Sequence, residues 1–468
     1  MNRSIRGVAL VAGLMFLALL INATVSYLAR SEFLLNYPSN NRVRDEQFGS
    51  PRGPILVGNT PVVQNVPTNT HPYAYQREYL NGPLYAPVTG YYSYIYGRTG
   101  LEQLYNAELV GQSDAQFAGR ILDILAGHQV AGGQVQTTIQ PHAQQAAWDA
   151  LAGREGAAVA IDYTTGAVLA WVSTPSYDPA PLASTDFAAS QRAWDQFMAD
   201  PGQPMNDRAM QEIHAPGSTF KLVVAAAALA NGYTPETMID TPAELPLPGS
   251  SRTLPNLADC GNGQQSLDHA LTLSCNTTFA NIALGLGADK IRAQAQAFGF
   301  DDSFGGDIGS AVSTFPADPD GAQLAMSAIG QFEVAATPLQ MAVLAGGIAN
   351  NGKVMSPYVV QEVRDANQRV LSSHQPSSRG QAMPAANASV LQQMMVHVVQ
   401  SGTATDVQID GLTIGGKTGT AETLPQAASH SWFTGYAAEK HVAVAVYLAD
   451  PQGETANPVA RAMLEAIE

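Results

Sequence analysis

"HAPGSTFKL", His214 to Leu222, sets a serine three residues ahead of a lysine, directly behind Pro216-Gly217. Lysine is scarce in this chain, with only five residues, at 221, 290, 353, 417 and 440. Pro-Gly breaks the preceding chain, and "STFKLVVAAAALANG" then reads as a helix ending at Asn231-Gly232. A serine that opens a helix is an ordinary N-cap. The same spacing also puts both side chains on one helix face. A hydroxyl is a poor nucleophile until a base takes its proton. A neutral lysine amine serves as that base once burial or a nearby cation lowers its pKa. The free N–H groups of a first helical turn suit an oxyanion. Alone, an S-x-x-K motif is weak, so the rest of the chain decides between cap and nucleophile.

Two further stretches bear on that choice. In "LTLSCNTTFANIA", Ser274 and Asn276 flank Cys275 in S-x-N spacing at the start of an Ala-rich helical run, where an N-cap is again the plain reading. In "LTIGGKTGTAET", Lys417, Thr418, Gly419 and Thr420 follow an apolar run and two glycines. Gly419 lets a ligand approach the backbone closely; the plain alternative is a strand edge with a surface lysine. S-x-x-K, S-x-N and K-T-G in this order form the serine penicillin-recognising set.

Length and composition frame this reading. A chain of 468 residues suits two or three domains and can bury a substantial core. Charged residues make up 13% and the net charge is −16, so no basic stripe exists for nucleic acid. With 46% hydrophobic residues the chain is not of the disordered class. Arg3 and Arg6 precede "GVALVAGLMFLALLINATVSYLA", which no charge interrupts and which is long enough to span a bilayer. No good small-x-small cleavage site follows, so an uncleaved anchor is expected in preference to a signal peptide. The two arginines place the N-terminus in the cytoplasm and the remainder outside. In that compartment Cys260 and Cys275 are free to form a disulfide, worth about 3 kcal/mol on the chain-entropy model, and two partly buried thiols are the alternative. The nine histidines are scattered, with no H-E-x-x-H and no C-x-x-C, so no metal or other cofactor is expected. His214, four residues before Ser218, is read as structural.

Along the chain, residues 30 to 70 read as an extended lead-in with short strands, followed by an aromatic, turn-rich module. The pattern changes near Val135, where "QVQTTIQPHAQQAAWDALAG" begins as a strand and becomes a helix with Pro141 in its first turn. "GAAVAIDYTTGAVLAWVST" and "SWFTGYAA" with "HVAVAVYLAD" read as two hairpins, and "ANPVARAMLEAIE" as a closing helix. The middle, 217 to 400, reads as mostly helical. Strands at both ends with helices between predict an α+β domain whose sheet joins the two ends.

The three motifs, together with "GAAVAIDYTTGAVLAWVSTPSYDP", "NDRAMQEIHAPGSTFK", "AIGQFEVAATPLQMAVLAGGIANNGKV", "SPRGPIL" and "YYSYIYGRTGLE", resemble the penicillin-binding proteins, specifically the monofunctional class B, and within it the short actinobacterial type. Two departures are Cys275 in the middle of the second motif and Phe332 where a glycine is more usual. The resemblance implies a serine beta-lactamase/transpeptidase-like domain, an antiparallel sheet packed with helices, plus a smaller N-terminal irregular β-rich module and one N-terminal transmembrane helix. It divides the chain into a cytoplasmic tail (1–6), an anchor (7–28), a non-catalytic pedestal or dimerisation module (29–134) and the penicillin-binding domain (135–468). It implies that Ser218 attacks a D-Ala-D-Ala donor stem peptide of peptidoglycan, with Lys221 taking its proton. Ser274 relays a proton to the leaving amine beside Lys417, whose charge helps keep Lys221 neutral. Asn276 binds the peptide amide, and the N–H groups of Ser218 and Thr420 form the oxyanion hole. Lys417, Thr418 and Thr420 face the terminal carboxylate, with Gly419 between the two threonines. Beta-lactams mimic the donor. A polytopic membrane glycosyltransferase is the implied partner.

Alternatives share the motifs. A class A beta-lactamase needs an E-x-x-L-N run, and none lies between Ser274 and Lys417. A bifunctional synthase needs an N-terminal glycosyltransferase domain, for which the residues before Val135 are too few. A beta-lactam sensor usually carries a signalling domain across the membrane, whereas six residues lie on that side here. A D,D-carboxypeptidase differs only in letting water resolve the ester.

Overall fold

A computed structural model describes residues 3–35, 45, 48–68, 73–127, 130–421, 429–450 and 453–468. Glu422 and Thr423 of the third quoted stretch, and part of the lead-in, lie outside these residues. The first element is α1 (Arg3–Leu35), whose segment Ile5–Tyr27 is 23 residues long with a mean hydropathy of 2.4 and no part of it buried. That length and polarity suit a bilayer crossing.

The N-terminal module supplies β1 (Ile55–Val57), β2 (Thr60–Pro67) and β3 (Tyr75–Tyr79), paired as an antiparallel meander. β4 (Gln134–Thr137) lies parallel to β1, with Ile55 beside Val135. Its other edge is taken by a strand from far along the chain. α2 (Pro141–Leu151) follows, with proline in its first turn. β5 (Gly156–Asp162) and β6 (Val168–Thr174) form the expected hairpin. The middle of the chain carries α3 (Lys221–Ala230), α4 (Asn276–Leu286) and α5 (Pro338–Ala349).

The expectation of a mostly helical middle fails over 238–266, where four short strands pair two by two, and over 353–381. "VQEVRDANQRVLSS" turns back on itself, giving β7 (Val360–Arg364) and β8 (Val370–Ser373) with Gln368 at a positive φ of 65° in the turn. β7 pairs antiparallel with β4, so the six-stranded sheet runs β8-β7-β4-β1-β2-β3 and crosses the expected boundary at 134/135. α6 (Ala385–Ser401) leads to β9 (Ile414–Ala421), β10 (Ser429–Ala437), β11 (Val442–Asp450) and the closing α7 (Asn457–Ala466).

The second sheet is antiparallel, in the order β9-β10-β11-β5-β6. It joins the hairpin near residue 160 to the hairpin near the C-terminus. β5 and β11 read as nearly unbroken apolar runs because helices cover both faces of the sheet, as a sheet buried on both sides requires. α5 and α6 pack on one face, α2 and α7 on the other. Gly346 lets α5 come close: a Cβ there would stand 3.1 Å from the Tyr163 Cβ. β9 is left as the free edge of the sheet, and the site is built against it.

Candidate active site

Ser218 does not cap an α-helix. It sits in one 3₁₀ turn, Gly217–Phe220, that runs straight into α3. Side chains three apart eclipse in a 3₁₀ turn, so Ser218 and Lys221 stand closer than an α-helical start would place them. The turn is wedged between two backbones. Gly217 has φ 54°, and a Cβ on it would lie 2.4 Å from the Thr420 carbonyl oxygen of β9. On its other side Gly330, φ 70°, has no room either, since its Cβ would lie 2.1 Å from the Gly217 oxygen. Gly419 is needed for the same close approach, with the Pro216 oxygen 2.7 Å from where a Cβ would be.

Lys221 is fully buried. Its Nζ lies 2.7 Å from the Ser274 carbonyl, 2.7 Å from Asn276 Oδ1, 3.0 Å from Ser218 Oγ and 3.2 Å from Ser274 Oγ. Burial, and then the charge of Lys417, push its pKa well below that of a free lysine. A neutral amine has two N–H donors and one lone pair. The two carbonyl oxygens at 2.7 Å can only accept, so they claim the donors and leave the lone pair for the Ser218 hydroxyl. Lys417 is also buried; its Nζ donates to the Thr418 carbonyl at 3.0 Å, and burial lowers its pKa to about 7.

Ser274 ends the helix Leu267–Leu273 in a left-handed turn, φ 63°, which brings both its carbonyl and its hydroxyl within reach of Lys221. Cys275 joins Cys260 with Cα atoms 5.9 Å apart. The strap in front of Cys260 supports the second motif: the Asn276 Nδ2 donates to the Pro255 carbonyl at 3.0 Å, and the Thr277 N–H donates to Asn256 Oδ1 at 3.0 Å. One Asn276 N–H is left for a ligand.

Ser218, Ser274, Thr418, Gly419 and Thr420 line one cleft of about 290 Å³, with Leu257 of the strap, Thr403 and Asn457 completing its wall. Thus the structure brings together Ser218, Lys221, Ser274 and Asn276 by hydrogen-bond distances and sets the K-T-G strand edge beside them. His214 belongs elsewhere: its ring stacks on Tyr447 at 4.1 Å and its Nε2 is 3.3 Å from Glu212. Phe332 is 45% exposed at φ 64°, a backbone conformation that glycine adopts more easily. Sequence reasoning missed Pro255, Thr403 (Oγ1 2.6 Å from Thr418 Oγ1) and Asn457. No motif marks them, because each reaches the site from a short strand, a loop or a helix start of ordinary composition.

Comparison with known proteins bears on the family. Residues 156–465 match the penicillin binding protein transpeptidase domain, and residues 52–135 match the penicillin binding protein A dimerisation domain. The peptidoglycan D,D-transpeptidase PbpA of Mycolicibacterium smegmatis is 40% identical over all of this chain and 99% of its own length. The Mycobacterium tuberculosis PbpA is 37% identical over the same shares. Penicillin-binding protein A from M. tuberculosis, solved as a ceftriaxone acyl-enzyme, superposes with a TM-score of 0.87 at 37% identity, covering 90% of this chain and 99% of that one. The D,D-transpeptidase domain from Eggerthella lenta gives 0.75 at 32% identity, covering 89% and 98%. The chain described here belongs to the penicillin-binding protein transpeptidases.

Proposed function

We infer that this chain is a serine D,D-transpeptidase that crosslinks peptidoglycan stem peptides and is acylated by beta-lactams. The observation that carries the reading is the buried Lys221 amine, 3.0 Å from Ser218 Oγ with both its donors claimed by carbonyls. Neutral Lys221 takes the Ser218 proton as Oγ attacks the carbonyl between the two D-alanines. The oxyanion is held by the N–H groups of Ser218 and Thr420. Its collapse breaks the C–N bond, and the departing D-alanine amine receives the proton from Lys221 through the Ser274 hydroxyl. The remaining Asn276 N–H holds the donor amide, while Lys417, Thr418 and Thr420 face the terminal carboxylate. An amine of a second stem peptide then attacks the Ser218 ester, and its proton returns to Ser218 Oγ along the same path. Each step is one of positioning and proton transfer by groups already in place.

The apolar helix Ile5–Tyr27 fits a single-pass anchor, with Arg6 on the cytoplasmic side and the catalytic domain outside. The module of residues 29–134 acts as a pedestal, with a polytopic membrane glycosyltransferase as the partner that would supply glycan strands. The Cys260–Cys275 bond suits the same oxidising compartment.

Labelling with a fluorescent penicillin tests the reading. Stable label on the wild type and none on Ser218→Ala is expected; label that persists on Ser218→Ala would sink it. A crosslinking assay on lipid-linked glycan strands separates transpeptidase from carboxypeptidase, the latter releasing D-alanine without dimeric stem peptides.

A further inference from the structure

Thr403 follows α6 and is an exposed member of the cleft wall, with its Oγ1 2.6 Å from Thr418 Oγ1. Two residues earlier Ser401 turns its hydroxyl back on the helix, to the His397 carbonyl at 3.2 Å. Thr403 instead reaches across to β9. Its place is set by the residues on either side. The N–H groups of Gly402 and Ala404 both donate to the Val398 carbonyl, at 3.1 and 3.2 Å, and Ala404 is fully buried. Gly402 presses on the helix Leu267–Leu273, where a Cβ would run into the Thr272 carbonyl oxygen. That helix ends at Ser274, so Thr403 is gauged against the second motif while it touches the third. Thr418 is fixed as well, since Lys417 Nζ donates to its backbone carbonyl at 3.0 Å. Thr403 is exposed and Thr418 half-buried, so a ligand in the cleft reaches this pair.

Two hydroxyls at this distance hold two protons, and the bond between them uses one. Either threonine can be the donor. A carboxylate only accepts, so a carboxylate bound at Thr418 claims that residue's proton and leaves Thr418 Oγ1 to accept. Thr403 is then the hydroxyl in reach to donate to it. We propose that Thr403 is a positioning residue for carboxylate recognition: its hydroxyl donates to Thr418 Oγ1 and turns the Thr418 proton toward the terminal carboxylate of the donor stem peptide. The inference rests on the transpeptidase reading and deepens it, by adding to Lys417, Thr418 and Thr420 a group that sets the direction of one hydrogen bond. A bond to a charged acceptor strengthens when its donor oxygen itself accepts another. A donor whose carboxylate is masked gains far less from that chain, and this difference makes the role measurable.

The test uses the full chain in detergent with two thioester probes, N-benzoyl-D-alanyl-thioglycolate and its methyl ester. The first carries a carboxylate where the terminal D-alanine carries one, and the second masks it. Acylation rates for both on one preparation give an acid-to-ester ratio from which any unfolded fraction cancels. Thr403→Val keeps the shape and removes the hydroxyl, whereas Thr403→Ser keeps the hydroxyl. Expected for Thr403→Val is a roughly fivefold fall in the ratio, the size of one net hydrogen bond, with Thr403→Ser within about twofold of wild type. Adding Thr403→Val to Thr418→Val should lower the ratio little further, because Thr403 acts through Thr418. A Thr403→Val ratio within about twofold of wild type would overturn the inference, as would a Thr403→Ser ratio that falls as far, or falls at 403 and 418 that simply add. A wild-type chain acylated by both probes at one rate also overturns it and leaves acylation of Ser218 standing. A wild-type chain that takes neither probe nor a fluorescent penicillin overturns the transpeptidase reading itself, and this inference with it.

Discussion

Gly217 and Gly330 meet backbone to backbone: the Gly217 N–H donates to the Gly330 carbonyl at 3.0 Å, and both residues have positive φ. Ser218 is held in place by the absence of two methyl groups. Gly330→Ala adds one of them 2.1 Å from the Gly217 oxygen. Left-handed strain and overpacking together predict a loss of about 2–4 kcal/mol. Penicillin acylation should fall more steeply than the melting temperature suggests, because the displaced turn carries the nucleophile. Acylation rates and thermal melts on the same preparation check this.

The two buried lysines set a pH profile. With neutral Lys221 as the proposed base, the acylation rate is expected to rise with pH through the lowered pKa of that group and to level off before free lysine would titrate. Lys417→Met removes the neighbouring charge, which moves the rising limb to higher pH. Stability follows Lys417 in a defined window. Its pKa is about 7 folded and 10.5 unfolded, so between these values the unfolded chain binds more protons and stability climbs with pH. Below about 7 both states are charged and the full burial penalty persists. Lys417→Met should therefore melt higher than wild type at pH 6, with the gap closing towards pH 10.

Reduction of the Cys260–Cys275 bond opens a loop of 15 residues. A loss of about 3 kcal/mol is expected from the chain-entropy estimate. Asn276 then loses part of the support it takes from the Pro255 carbonyl. A several-fold slower penicillin acylation should accompany the lower melting point in Cys260→Ser/Cys275→Ser. Unchanged melting after reduction would show that the strap is held by its other bonds alone.

In the N-terminal module, Glu102 accepts from Arg52 Nε and Arg77 Nε, both at 2.6 Å, with all three side chains buried. Burial raises the Glu102 pKa, but the two guanidiniums outweigh it and hold the carboxylate below its ordinary range. Its contribution is thus present above about pH 4.5 and fades as the pH falls below that value. Glu102→Gln leaves two buried cations without their anion and should cost about 3–5 kcal/mol in denaturant unfolding at pH 7.

Much of this was legible in the sequence. "GAAVAID" and "HVAVAVYLAD" lie at distant points in the chain, yet their apolar runs correctly placed one sheet across both ends, because a sheet covered on both faces leaves no alternation to misread. Rare lysines made Lys221 and Lys417 visible. The 3₁₀ turn at Ser218 was not, since it depends on Gly217 meeting Thr420 and Gly330, two segments remote in sequence. The strand pairing of β7 with β4 escaped for the same reason: it joins Val363 to Val135 across most of the catalytic domain. Asn457 looked like any helix start, and only the fold brings it to the wall of the cleft.

β4 has further meaning as a mechanical part. Its backbone bonds to β1 on one edge and β7 on the other, and the segment just before β7 is held as well, the Thr138 N–H donating to Val359 and the Val168 N–H of β6 to Tyr358. One hydrogen-bonded sheet therefore continues across the place where the sequence suggested a boundary. A load applied to β1 is carried to β7 through backbone hydrogen bonds and not through side-chain packing alone.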